Sequence, residues 1–209
     1  MIPYYSLTEV LNFIMDVKFE YEKIYAVHSF ERLGLFECLK STFEINTVAY
    51  IGSSIHITPS FVFQNVTYID KSDLTKCFFK EKNELVSYIN TRKQYKLKPY
   101  IHFIDDDYNQ GELFSRSEYD LVLAINSPNS LNAALKIVKS KGLLLYLPLP
   151  QEASLLTSQA KIKSIGFIHK KGKKYIFEKD EINQRLKKNY NKNLVFVENN
   201  EYHVYEKVI

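Results

Sequence analysis

Thr47-Val48-Ala49-Tyr50-Ile51-Gly52-Ser53-Ser54 is the stretch that decides the architecture. Five apolar or β-branched residues run without a polar break and stop at a glycine. A run this short, apolar at nearly every position, predicts a strand buried on both faces. Gly52 then provides a tight turn and lets backbone come close to whatever lies beyond it. Similar runs follow. Val66-Thr67-Tyr68-Ile69 ends in Asp70, and Tyr100-Ile101-His102-Phe103-Ile104 ends in Asp105-Asp106-Asp107. Residues 120–125 end in Asn126, and residues 143–147 are stopped by Pro148.

Helical patterns separate most of these runs, at 72–80, 83–95 and 130–139. Strand alternating with helix implies a parallel sheet with right-handed crossovers. The connection from Gly52 to Asn65 has room for only a short helix, with Thr58 as N-cap and Pro59 in its first position. Upstream, Ser6-Leu7-Thr8-Glu9 has the form of a capping box. Apolar residues at helical spacing run from Leu7 to Ile24, and Ser29 is placed to cap a second helix through Leu33, Phe36, Leu39 and Phe43. Residues 1–45 thus read as an N-terminal helical segment, and residues 46–209 as one compact unit. Past Pro150 the expected elements are a helix at 153–164 and a hairpin flanking a Lys-Gly-Lys turn. A further helix at 180–189 precedes a closing hairpin of 194–197 with 202–208 around Asn199-Asn200.

In an open parallel sheet, ligands sit at the carboxyl ends of the strands. Gly52, Asp70, Asp105 and Asn126 therefore belong to one neighbourhood. Asp70 is placed to accept hydrogen bonds from a ribose diol. Asp105 or Asp106 would meet an adenine amino group or stay solvated.

At this point the chain resembles the class I S-adenosylmethionine-dependent methyltransferases. The resemblance lies in Val48 to Ser54, Val66 to Asp70, Glu118 to Leu123, and Leu135 to Leu145, in that order. It implies an α/β fold, a Rossmann-like and mostly parallel sheet with helices on both faces. Here the N-terminal helical segment precedes that sheet and C-terminal β-hairpins close it. It also implies S-adenosylmethionine as cofactor, held by Tyr50, Gly52, Ser53, Ser54, Asp70, Asp105, Asp106 and Asn126. The Gly52 turn would hold the methionine part, Asp70 the ribose, and Asp105 or Asp106 would lie near adenine. Three positions depart from the family's pattern: Tyr50 stands where an acid is usual, and Ser54 and His56 where further glycines are. Tyr50 to Thr58 is similar to the turn of the nicotianamine synthase group, where an aromatic replaces the acid and an aminobutyryl group is transferred. Asn126-Ser127-Pro128-Asn129 partly resembles the substrate-amine motif of amino methyltransferases, although Asn-x-Pro is also ordinary turn chemistry.

The reading is an S-adenosylmethionine-dependent transferase for a small molecule, its acceptor under the N-terminal helices near Tyr4, Tyr5, Tyr25 and His28. No catalytic residue is assigned. The alternatives are a non-catalytic binding protein of the same fold and an NAD-linked oxidoreductase, since Asp70 would contact a ribose there too. His56 is either a base in the turn, a contact for a carboxylate, or a loop histidine without a chemical role. The five histidines lack metal-ligand spacing, and consecutive Asp105, Asp106 and Asp107 point in different directions, so no metal is expected.

Composition bounds the rest. With 209 residues, 45% of them hydrophobic and 25% charged, the chain can bury one sizeable core. The formal charge of +4 is unevenly spread, with a basic excess between Lys161 and Lys192 that reads as a solvated face or an attractor of phosphates or acidic partners. Cys38 and Cys77 show no paired spacing, which suits a reducing, cytoplasmic setting. The longest apolar run is well short of the roughly 20 residues of a membrane helix, so no membrane association is expected. A nucleic-acid substrate is disfavoured because no recognition domain follows, and homo-oligomerisation is left open.

Overall fold

The computed structural model describes residues 15–108, 118–125, 127, 129–146, 161–179 and 201–208. The described strands are β1 (Thr47–Ile51), β2 (Asn65–Asp70), β3 (Tyr100–Asp105), β4 (Tyr119–Ala124), β5 (Val138–Tyr146), β6 (Ile162–Lys171), β7 (Lys174–Lys179) and β8 (Glu201–Lys207). They join in one sheet with the order β3-β2-β1-β4-β5-β8-β6-β7. The pairs among β1 to β5 are all parallel. The chain begins in the middle at β1, steps outward to β3, then returns to place β4 on the other side of β1. This reversal is the topological switch point, where an open α/β sheet leaves a crevice.

Each central strand buries both faces, as its unbroken apolar sequence requires. Val48 and Tyr50 of β1, Val66 and Tyr68 of β2, and Leu121 and Leu123 of β4 enter one core. Ala49, Ile51, Ile69, Val122 and Ala124 enter the other. The first core is covered by α1 (Val17–Tyr21), which runs into a π-helical turn at Glu22–Ala26, and by α2 (Leu33–Thr42), α3 (Pro59–Val62), α4 (Asp73–Lys80) and α5 (Lys82–Arg92). The second is covered by α6 (Leu131–Ile137), a short helix rich in alanine and leucine.

Several local readings are corrected. The apolar periodicity from Leu7 to Ile24 is not one helix, because Asp16 is extended and caps a fresh start, its carboxylate accepting from the Phe19 amide at 2.8 Å. Ser29 does not cap α2. Both Ser29 and Arg32 are left-handed (φ 57° and 54°), and the helix begins only at Leu33. Thr58 makes no cap hydrogen bond, its hydroxyl being drawn elsewhere, while Pro59 does occupy the first turn of α3. The helix read at 130–139 ends at Ile137, where Val138 is already extended and pairs with Tyr119 of β4.

The hairpin flanking the Lys-Gly-Lys turn forms as β6 and β7. Residues 162–164, read as helical, are its first strand residues. The last strand differs in partnership. β8 runs antiparallel between β5 and β6, pairing with both. Residues 153–160, 180–189 and 194–197 lie outside the described residues.

Asp120 fastens the amino-terminal end of the switch point. Its carboxylate accepts from the Asn46 amide (3.0 Å), the Thr47 amide (2.9 Å) and the Thr47 hydroxyl (3.0 Å), and from Lys139 at 2.8 Å. Burial pushes this carboxyl up, but the bonds from Lys139, Thr47 and Asn46 outweigh it and hold it below its ordinary value. A carboxylate depressed by folding stabilises above its unfolded pKa, and that stabilisation disappears as pH falls through the folded value. Asp120→Ala is therefore expected to lose about 1–3 kcal/mol at neutral pH. The gap from the parent protein should close in strong acid when followed by urea denaturation across pH.

Candidate functional site

The carboxyl ends of β1 and β2 meet at Gly52. Its φ of +61° is left-handed, and its amide extends the β1–β2 ladder by donating to the Ile69 carbonyl at 2.8 Å. A Cβ at this position would lie 2.6 Å from Ser127 Oγ and 2.9 Å from Ser127 Cβ. No side chain fits. Ser127 is itself pinned, its hydroxyl donating to the Ile51 carbonyl and its own carbonyl receiving Ser130 Oγ at 2.6 Å. The start of the β4–α6 loop therefore packs directly on the turn.

Ser53 is buried, and its carbonyl accepts the His56 amide at 3.1 Å. Ser54 is left-handed at φ 48°, and its amide donates to Asp70 Oδ2 at 2.8 Å. The other carboxylate oxygen of Asp70 accepts the Ser72 amide, also at 2.8 Å. Asp70 is thus fixed by one backbone N–H on each oxygen, one from the β1 turn and one from the start of α4. A carboxylate offers about four acceptor positions, so each oxygen retains capacity for a further donor.

Tyr50 and His56, two of the departures from the methyltransferase pattern, are bonded to each other. The Tyr50 hydroxyl lies 3.0 Å from His56 Nδ1. His56 Nε2 lies 3.1 Å from the Glu31 carbonyl, which can only accept, so Nε2 carries the proton and Nδ1 accepts from Tyr50. Nε2 is also 3.0 Å from Thr58 Oγ1, and that hydroxyl is 2.6 Å from the Tyr21 hydroxyl. Tyr21 donates to Glu31 Oε1 at 2.9 Å, and Arg92 grips the same carboxylate at 2.5 and 3.1 Å. Arg92 also reaches the Tyr88 hydroxyl, which donates to Glu22. A single polar network therefore runs from β1 beneath the turn into α1, α5 and the α1–α2 loop.

Directly beneath the turn, burial keeps the imidazole and phenol groups neutral. Burial drives His56 down to about 3, with the Arg32 charge adding to the effect. Burial likewise pushes the Tyr21, Tyr50 and Tyr68 hydroxyls well above their ordinary range. All four groups are neutral near pH 7. With Nδ1 taken by Tyr50 and Nε2 by the Glu31 carbonyl, the imidazole bridges β1 and the α1–α2 loop.

The π-helical turn carries Tyr25 over this region. Its ring stacks on His56 with centroids 4.5 Å apart. Burial raises the Tyr25 hydroxyl, and the charge of Asp70 adds to that. His28 does not join it: exposed, it stacks on Phe30.

The other expected residues divide. Asp105 and Asp106 stand at the end of β3, one strand beyond Asp70, and Asp105 is paired with Lys76 at 3.1 Å. Asp107 pairs with Lys71 at 2.7 Å. Among the described residues no group of His, Cys, Asp or Glu is arranged to hold a metal. Asn126, Tyr4 and Tyr5 lie outside the described residues. The structure thus brings together Tyr50, Gly52, Ser53, Ser54 and Asp70, with Asp105 and Asp106 at the adjoining strand end. Glu31 and Arg92 were not foreseen, and Thr58 and Ser127 were expected only as a helix cap and as part of a turn. The paired oddities at positions 50 and 56, six residues apart across one turn, were the available signal.

No protein-family model and no curated protein matches the sequence. Among solved structures, the chain is similar to a provisionally assigned O-methyltransferase from Klebsiella pneumoniae, with a TM-score of 0.52 and 11% identity over 99% of this chain and 92% of that one. It is also similar to an S-adenosylmethionine-dependent methyltransferase from Thermotoga maritima, for which histamine N-methylation is given as a possible activity. There the TM-score is 0.50 and the identity 11%, over 92% of this chain and 96% of that one. The chain has the Rossmann-like fold of these methyltransferases.

The neutral imidazole generates a pH signature. Its pKa falls from 6.5 in the unfolded chain to about 3 on folding. Stability is full above pH 6.5 and is lost as pH falls between those values, because only the unfolded chain takes up this proton. The loss should approach about 1.4 kcal/mol per pH unit in mid-range. Denaturant titrations across pH should show this component in the parent protein and its disappearance in His56→Gln.

Proposed function

We propose that the protein binds S-adenosylmethionine at the β1–β2 strand ends and uses it as a transferase acting on a small molecule. The observation carrying this reading is Asp70, a carboxylate fixed by the Ser54 and Ser72 amides beside the left-handed Gly52 turn at the sheet's switch point. Its remaining acceptor capacity suits the two hydroxyls of a ribose. The donor set therefore fits the adenosyl half of the cofactor, with Asp105 or Asp106 facing its adenine end. The Gly52–Ser54 backbone would border the methionine end.

S-adenosylmethionine supplies a sulfonium whose attached carbon is already activated, so the protein's task is to align an acceptor. Both nitrogens of His56 being engaged within the fold suits catalysis by positioning. Tyr25, stacked on His56, would wall the acceptor side.

A non-catalytic binding role is the second reading. It is favoured by Ser127, which packs against Gly52, and by Tyr25, which stacks on His56. Both crowd the turn.

Calorimetric titration with S-adenosylmethionine and S-adenosylhomocysteine separates the two readings. Saturable binding of either, weakened at least about tenfold by Asp70→Ala through loss of charge-assisted hydrogen bonds, is the expected result. Absence of heat and of thermal stabilisation with both ligands favours the second reading. The mass gained by an acceptor then distinguishes methyl from aminobutyryl transfer.

A further inference from the structure

The two edges of the sheet are defended very differently. Unpaired strand edges invite pairing with another chain, and proteins usually blunt them with lysines, prolines or bulges. β7 is such an edge: Lys174, Glu178 and Lys179 are exposed along it, and Lys173 precedes it. β3, at the opposite end, reads Tyr-Ile-His-Phe-Ile-Asp. It has no lysine, no proline and no register shift against β2. Among the described residues no strand pairs with its outer side.

The amide of Tyr100 donates inward to the Gln64 carbonyl of the neighbouring segment at 2.8 Å. Backbone direction alternates along a strand, so the N–H and C=O groups of Ile101, Phe103 and Asp105 point outward. Charge flanks this edge asymmetrically. Lys96 and Lys98 lie just before the strand, and Asp105, Asp106 and Asp107 lie at and after its end. Asp105 and Asp107 are engaged by Lys76 and Lys71. Among the described residues, neither Lys98, which is exposed, nor Asp106 has an ion-pair partner.

A strand with a basic start and an acidic end is complementary to an antiparallel copy of itself. We propose that the outer edge of β3 pairs antiparallel with β3 of a second copy of this chain, about a two-fold axis passing beside His102. Only residues with outward backbone groups can oppose one another as a hydrogen-bonded pair, so Ile101 of each copy opposes Phe103 of the other. In this register Lys98 of each copy faces Asp106 of the other, and the two His102 side chains stand side by side. Tyr100, 63% exposed in the single chain, packs against Ile104 of the other copy. An isologous contact of this kind closes as a dimer and does not propagate.

The test is a charge-exchange cycle read by sedimentation velocity over the micromolar range. The parent protein should show a concentration-dependent dimer. Lys98→Glu and Asp106→Lys should each weaken it at least about tenfold, since each places two like-charge pairs in the interface. Mixing the two variants should restore a heterodimer, and the double variant should restore a homodimer. In a Cys38→Ser/Cys77→Ser background, His102→Cys should form an intermolecular disulfide on oxidation, as opposed non-hydrogen-bonded residues bring Cβ atoms within about 5.5 Å. A monomeric parent protein overturns the proposal. So does a dimer indifferent to both charge reversals, or one that His102→Cys fails to cross-link.

Discussion

The hydrogen bond between Tyr50 and His56 is the constraint on which the rest of the site depends. A buried imidazole is tolerated only when both nitrogens are satisfied, and here Tyr50 serves one while the Glu31 carbonyl and Thr58 serve the other. Satisfying those atoms requires the α1–α2 loop to close over the β1 turn. Tyr21, Arg92 and Tyr88 then complete the arrangement from α1 and α5. The chain bends accordingly, with Ser29 and Arg32 in left-handed conformations and a π-helical turn carrying Tyr25 over Ser54. Leaving one buried partner unsatisfied in such a network costs about 1–3 kcal/mol, a large fraction of a small domain's stability.

This arrangement explains how a methyltransferase-type sheet accommodates so unusual a turn. His56, with a bulky side chain where a glycine is usual, lies beneath the turn instead of in the crevice. Tyr50 bonds it there. Ser54 adopts a left-handed conformation without being glycine, and the Asp70 carboxylate holds it by its amide. Only Gly52 cannot change, because Ser127 occupies the space a side chain would need. At these two strand ends the Gly52–Ser54 backbone and the fixed Asp70 carboxylate stand together.

The central strands β1, β2 and β4 were legible because burial on both faces leaves unbroken apolar runs, and the edge strand β3 because its run stops at Asp105. The residues that gather at the strand ends were legible for the same reason, since topology alone brings them together. Elements governed by long-range contacts were not. Ser29 looks like a cap, yet it sits in a left-handed turn whose amides bond back to Ala26 and Tyr25. Thr58 looks like a cap, yet its hydroxyl is taken by Tyr21 and His56. Tyr202 to Val208 reads as half of a local hairpin, yet β8 finds its partners in β5 and β6, and alternation within a strand says nothing about which neighbour it will meet.

A crystal structure grown with S-adenosylhomocysteine examines the site at atomic detail. The expected result is an adenosyl group whose ribose hydroxyls bond the Asp70 carboxylate, with the amino-acid end along the Gly52–Ser54 backbone. A ligand bound elsewhere, or an empty crevice at saturating concentration with Ser127 and Tyr25 unmoved, would contradict it.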